Sequence, residues 1–235
     1  MAVVINGNGT VTGIAVGGLP DGIVDNGTMA DDAVAIADLA ATGTASATTF
    51  LRGDNSWQEA GGGAWNYITS QTASGQTSIN FENVFDSTYD QYMITGTTII
   101  TSVDGTRMEW QAGTGSTPTY VTTGYQYHNG YVTSNSGSYS GGSSTSSTIG
   151  TIANYVGADT GQVTYFEHRI FNPSDTTRYK CFSGSSTQYS EHPYAFLGQH
   201  VGTLATTTAV TSLKYFCENG GYASGIFRLY GLANS

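Results

Sequence analysis

The chain has 235 residues, 38% hydrophobic and only 10% charged, with seven basic residues against seventeen acidic and a formal net charge of −10. That sign excludes nucleic acid and anionic membranes as primary partners, because both repel a negative surface. Sixteen tyrosines and nine phenylalanines supply a sizeable core, while 32 glycines set among Ser and Thr favour turns and strands over helices.

Residues 1–41 contain Val, Ile and Leu but no aromatic side chain. Such a thin segment cannot repay its ordering entropy alone. We expect an extended stem, floppy unless it intertwines with copies of itself or docks on a partner. Within it, residues 31–41 read as a helix of about three turns, with Asp31 and Asp32 at the end where the helix dipole favours negative charge. Residues 7–13 (GNGTVTG) resemble a dinucleotide loop only loosely. The third glycine is one place late and no strand–helix–strand pattern follows. The start, MAVVINGNG, lacks the basic region of a secretory signal. No apolar run reaches the roughly 20 residues of a membrane helix.

Residues 42–57 (TGTASATTFLRGDNSW) carry Phe50 and Trp57, the only aromatics among the first 64 positions. We read residues 42–64 as a junction, with Gly61, Gly62 and Gly63 as a hinge. Phe50, Leu51 and Trp57 are its candidate contacts between copies. Arg52-Gly53-Asp54 matches a cell-adhesion tripeptide, but Gly53-Asp54-Asn55 has turn composition and a turn is expected.

Residues 65–235 form the head. Strands are expected at 65–70, 78–84, 92–100, 107–112, 120–128, 161–173, 177–183, 194–204, 212–218 and 224–232, with a possible return at 152–156. Asp104-Gly105 predicts a hairpin joining the third strand to the fourth. On 161–173, Thr164, Phe166, His168 and Ile170 share one face. Residues 129–150, rich in Gly and Ser, read as a long loop. Many short strands without a strong amphipathic helix indicate an all-β, antiparallel β-sandwich, jelly-roll-like. The last strand is expected to be paired.

Several words resemble bacteriophage tail fibres, of the cyanophage-like kind. They are the junction 42–57, the stem phrase at 17–34, residues 78–99, residues 165–174, and the terminal Ser224-Gly225-Ile226-Phe227-Arg228-Leu229-Tyr230-Gly231. The resemblance implies a homotrimeric virion protein made in the host bacterial cytoplasm. Its stem would attach to other tail or baseplate proteins, and its head would bind host surface polysaccharide or lipopolysaccharide. The words are structural and name no receptor. A tailspike-like depolymerase and a purely structural connector or decoration protein are the alternatives.

No cofactor and no catalytic residue is expected. Asp104, Glu109, Glu167 and Glu191 are the carboxylates from which a glycosidase would draw its pair. Their spacing suggests none, and Glu109 and Glu167 read as solvated sheet positions. His192 and His200 are too far apart along a strand to share a metal. His128 and His168 fall in other strands, and satisfied or solvated rings are expected for all four. Cys181 and Cys217 read as reduced thiols. Tyrosine offers a ring face with a polar handle, which suits sugars and interfaces. Loops on rigid β scaffolds carry binding, so Tyr125, Tyr127, Tyr131 and Tyr139, in or beside the Gly/Ser tract, are the candidate receptor-binding residues.

Overall fold

The computed structural model describes residues 35–59, 64–190, 192 and 194–233. The chain divides at Gly61 into two units. Most of the stem, the glycine hinge and Glu191 lie outside the described residues.

In the first unit the expected helix is corrected. Its described part is one 3-10 turn, Ile36–Asp38, which ends where Leu39 becomes extended (φ −82°, ψ 123°). A hairpin follows, from β1 (Thr49–Leu51) to β2 (Trp57–Glu59), in register Leu51↔Trp57. The Arg52-Gly53-Asp54 tripeptide is its turn. Asn55 N–H donates to the Arg52 carbonyl at 3.0 Å, with Asn55 at φ 64°. Asp54 accepts from the Ser56 hydroxyl at 2.6 Å, which lowers the carboxyl pKa.

The second unit is all-β and antiparallel. Its strands are β3 (Trp65–Ala73), β4 (Ser78–Phe81), β5 (Gln91–Thr101), β6 (Thr106–Thr114), β7 (Thr119–Tyr120), β8 (Tyr125–Thr133), β9 (Tyr139–Ser147), β10 (Gly150–Val156), β11 (Thr164–Phe171), β12 (Lys180–Tyr189), β13 (Ala195–Leu204), β14 (Val210–Cys217) and β15 (Tyr222–Leu232). One sheet runs β3-β15-β5-β11-β12-β13-β8-β9, and the other runs β10-β6-β14-β4 with β7 beside β6. Eight strands face five among the described residues, so the sandwich lacks the four-and-four balance of a jelly roll.

One core lies between the sheets. Alternation on β11 buries Thr164, Phe166, His168 and Ile170, as the sequence pattern requires. From β6 the Trp110 ring reaches across to Tyr125 (5.3 Å), His168 (4.6 Å) and Phe182 (4.9 Å). Gly150 leaves room for that indole, since a Cβ there would fall 2.1 Å from Trp110 Nε1. Lys180 is fully buried, and its Nζ donates to the carbonyls of Asp175 and Arg178, pinning the loop before β12.

Two expectations about connectivity are corrected. The Asp104-Gly105 turn joins no hairpin: β5 pairs with β11 and β15, while β6 pairs with β10, β14 and β7. The turn instead carries the chain from one sheet to the other. The Gly/Ser tract is no loop either. β8 continues to Thr133, and β9 pairs with it from Val132↔Tyr139 to Tyr125↔Ser147. An edge strand needs few apolar side chains, because one side of its backbone alone must be paired and a hydrophobic edge would invite aggregation.

Leu232 pairs with Trp65, Gly231 with Tyr92 and Leu204 with Tyr125. The chain therefore enters this unit, and its last strand finishes, at one end of the large sheet. The turns after β3, β5, β8 and β12 lie at the other, distal end.

Candidate functional site

The site begins with a kink. β10 slips register against β6 twice, between Thr151 and Ala153 and between Ala153 and Val156. Such bulges re-aim side chains. Within the second slip Tyr155 has φ 57°, a conformation that costs a bulky residue energy and that gathers at functional sites. Buried Gln188 holds the kink: its Nε2 donates to the Asn154 carbonyl and, at 3.3 Å, to the Tyr155 carbonyl.

The kink places the Tyr155 ring 5.7 Å from Tyr131, 5.7 Å from Phe196 and 5.9 Å from His192. Tyr131 lies 5.2 Å from Phe196. His192, Tyr194 and Phe196 are near-parallel, with Tyr194 5.4 Å from each neighbour and interplanar angles of 16° and 18°. With Thr133, Asn135 and Ser136 these rings line a hollow of about 260 Å³. A second hollow of about 320 Å³ shares Tyr131 and Tyr155. It is polar, with Arg107, Asn129, Ser140, Ser143, Thr151 and Asn154 on its walls. The two hollows adjoin at Tyr131 and Tyr155, making a groove whose aromatic part lies at the distal end and whose amide- and hydroxyl-lined part runs from there along the β8–β9 edge.

The cation in the groove is already matched. Arg107 lies 2.5 Å from Glu218 and 3.5 Å from Glu109. Burial pushes the Glu109 carboxyl up, and the Arg107 guanidinium offsets part of that. Glu109 is thus buried, which corrects its reading as a solvated position: it lies between Thr151 of β10 and Phe216 of β14. Asp104 accepts from the Ala158 N–H at 2.8 Å, and Glu167 pairs with Arg169 at 3.4 Å on the far face of the large sheet. Asp104 stands in a turn and the two glutamates on outward faces of different sheets.

The four candidate tyrosines separate. Tyr131 is in both hollows and Tyr127 borders the polar one. Tyr125 is corrected to a core residue: it has no exposure, its hydroxyl donates to the Val121 carbonyl at 3.1 Å and accepts from the Ala112 N–H at 2.8 Å, and burial pushes its phenol pKa up. Tyr139 is 58% exposed but sits on the outer face of the large sheet, stacked on His128 (5.9 Å, 13°) and hydrogen-bonded to it. In the junction hairpin Phe50 is 49% and Leu51 38% exposed, and Trp57 is half-buried.

Sequence reasoning missed Tyr155, His192, Tyr194 and Phe196. His192, Tyr194 and Phe196 recur at every second position, a legible stripe. Nothing local marks Tyr155.

The expectation that all four histidines are satisfied or solvated is corrected at two of them. His168 and His200 are buried in the core with ring centroids 5.2 Å apart. His168 shares a hydrogen bond of 2.9 Å with the Tyr215 hydroxyl through Nδ1, and its Nε2 has no partner. Desolvation, then the neighbouring His200, drive its pKa well below the usual imidazole value. Neither ring nitrogen of His200 makes a well-formed hydrogen bond, although the Ile152 backbone lies near enough to favour protonation. Burial dominates and lowers its pKa to about 4. Both cysteines are free thiols, Cys181 exposed and Cys217 buried. Among the described residues no cluster of His, Cys, Asp and Glu suits a metal ion, and no helix is long and apolar enough to cross a membrane.

A larger cavity, about 710 Å³, opens at the end where the chain enters. Phe85, Ala209 and the Thr side chains of residues 176, 207, 208 and 211 dominate its walls, and it holds no titratable group. Size alone does not make a site. The distal groove has what a binding site needs, a few convergent polar groups beside rigid aromatic faces.

No family model, curated protein or solved structure matches this chain.

Proposed function

We propose that this protein is the receptor-binding component of a bacteriophage tail fibre, a homotrimer that holds tail or baseplate proteins through its stem and binds host surface polysaccharide or lipopolysaccharide without cleaving it. The observation that carries the reading is the aromatic groove at the end of the sandwich opposite the one where the chain enters. A fibre tip needs its contact surface at that end. Aromatic faces accept the C–H face of a sugar ring, and the Asn, Ser and Thr groups opposite them suit its hydroxyls. With Arg107 neutralised by two glutamates, selection falls to hydroxyl geometry instead of charge. Exposed Phe50 and Leu51 in the junction support association of copies there. Three such heads would convert weak single contacts into firm adsorption.

The test is binding of the full chain to an array of bacterial polysaccharides and lipopolysaccharides. Retention of at least one saccharide, lost on Tyr131→Ala, supports the reading. Retention of none, or release of oligosaccharides during incubation, overturns it.

A further inference from the structure

On the outer face of the large sheet, strand register brings Glu167 of β11, Ser185 of β12, Gln199 of β13 and Gly130 of β8 into one row of consecutive partners. Neighbouring strands lie roughly 4.8 Å apart, so the row spans about 14 Å. Arg169 and His128 end the next row on the same face. Gly130 has no side chain, and the Tyr139 ring from β9 takes that space: a Cβ on Gly130 would collide with the Tyr139 hydroxyl. The same hydroxyl is hydrogen-bonded to Nε2 of His128. Tyr139, His128, Gln199, Ser185, Glu167 and Arg169 line a trough of about 410 Å³.

An exposed tyrosine is ordinary on a sheet surface. This one is fixed, because its ring leans over bare backbone, is tied at the hydroxyl and stacks beside the His128 imidazole. A ring held in place while 58% exposed has little rotamer freedom left to lose on binding. Across the trough, Glu167 and Arg169 pair at 3.4 Å with both side chains partly open to solvent. The Trp65 ring lies 5.8 Å from the Arg169 guanidinium and steadies it. A carboxylate accepts and a guanidinium donates, which matches adjacent hydroxyls that can each do both. Ser185 and the Gln199 amide, between the two walls, add further donors and acceptors. The ion pair carries no net charge, and a chain of −10 repels anions. The ligand this chemistry selects is neutral, rich in hydroxyls and apolar on one face.

We propose that this trough is a second saccharide site, for a neutral sugar, in which Tyr139 takes the apolar face of one ring and Glu167, Gln199 and Arg169 take its hydroxyls. It is separate from the distal groove and stands without it. In the β8–β9 hairpin, Asn129 and Tyr131 border the groove, while His128 and Tyr139 border the trough. The trough is open and its contacts are few, so it is weak alone and strengthens adsorption by adding a contact to a head already held at the groove.

Val201 lines the trough and neither hollow of the groove, so its methyl groups report on this site alone. The full chain, isotopically labelled at its valine methyls, is titrated with maltose, cellobiose, lactose and mannobiose, and with sialyllactose as the acidic counterpart. The Val201 signals, assigned by their loss in Val201→Ile, are followed by NMR. The expected result is a saturable shift with at least one neutral disaccharide, whose dissociation constant rises about fivefold or more in Tyr139→Ala and in Gln199→Ala. If Tyr139→Ala unpairs the edge strand β9, Gln199→Ala on the interior strand β13 carries the reading alone. No shift with any neutral sugar, a response to sialyllactose only, or an unchanged constant in the folded variants overturns the trough. Failure of the groove to retain polysaccharide leaves the Val201 result standing, and loss of the Val201 response leaves the groove standing.

Discussion

His168 and His200 lie buried and uncharged in the core, so acid works against the fold. In the folded chain His200 titrates at about 4, against 6.5 for a solvated imidazole. Between those values the unfolded state binds more protons than the folded state, so stability falls as the pH drops through this window. At 1.36 kcal/mol per pH unit the full loss from His200 is roughly 3 kcal/mol, of which about 2 kcal/mol has gone by pH 5. His168 adds to the loss in the same direction, since its pKa is also lowered. Glu109 opposes it: its raised pKa means the folded state gains protons more readily than the unfolded state. The carboxyls of Asp86 and Asp175 are held below their usual range, so their contribution is lost only at lower pH. The assay is urea unfolding followed by tryptophan fluorescence at one fixed protein concentration from pH 8 to 5. His200→Gln should lose about 2 kcal/mol less over that range than the wild type. Parallel stability curves for the two proteins would refute the buried, neutral state of His200.

Two further predictions concern backbone sites. Gly96→Ala would put a Cβ 2.0 Å from a Phe166 ring carbon, and that ring packs on Tyr215 and Phe227; the expected cost in urea unfolding is about 1–3 kcal/mol. At Tyr155 the positive φ inverts the usual order of substitutions: Tyr155→Gly should be about 1 kcal/mol more stable than Tyr155→Ala by thermal melting, because only Gly adopts that conformation freely. Both Tyr155 variants should lose saccharide binding.

The alternation on β11 was legible because its two faces meet different surroundings, core and solvent. The turn chemistry at Asp104-Gly105 was legible too, yet its partner was not. A turn residue reports the local backbone and says nothing about which sheet the next strand joins. β9 escaped notice for a related reason. Its residues Tyr139–Ser147 are held by backbone pairing to β8, and hydrophobic periodicity cannot reveal a strand that buries almost nothing. The same limit divides the candidate tyrosines. Nearness to a Gly/Ser tract picked out Tyr131, which lies in the groove, and Tyr125, which lies in the core. The groove itself depends on the kink at Tyr155 and on Gln188, residues 33 apart in the chain, and no local pattern joins them.

In the proposed function the distal groove, and not the larger cavity where the chain enters, holds the saccharide. The direct measurement is the dissociation constant of one array-selected saccharide for the wild type, for Tyr194→Ala in the groove and for Thr208→Ala in the other cavity. An aromatic face contributes about 1 kcal/mol. The Tyr194 variant should therefore weaken binding roughly fivefold or more, with the Thr208 variant unchanged. Unchanged affinity in the Tyr194 variant, or weakened affinity in the Thr208 variant, would contradict the account.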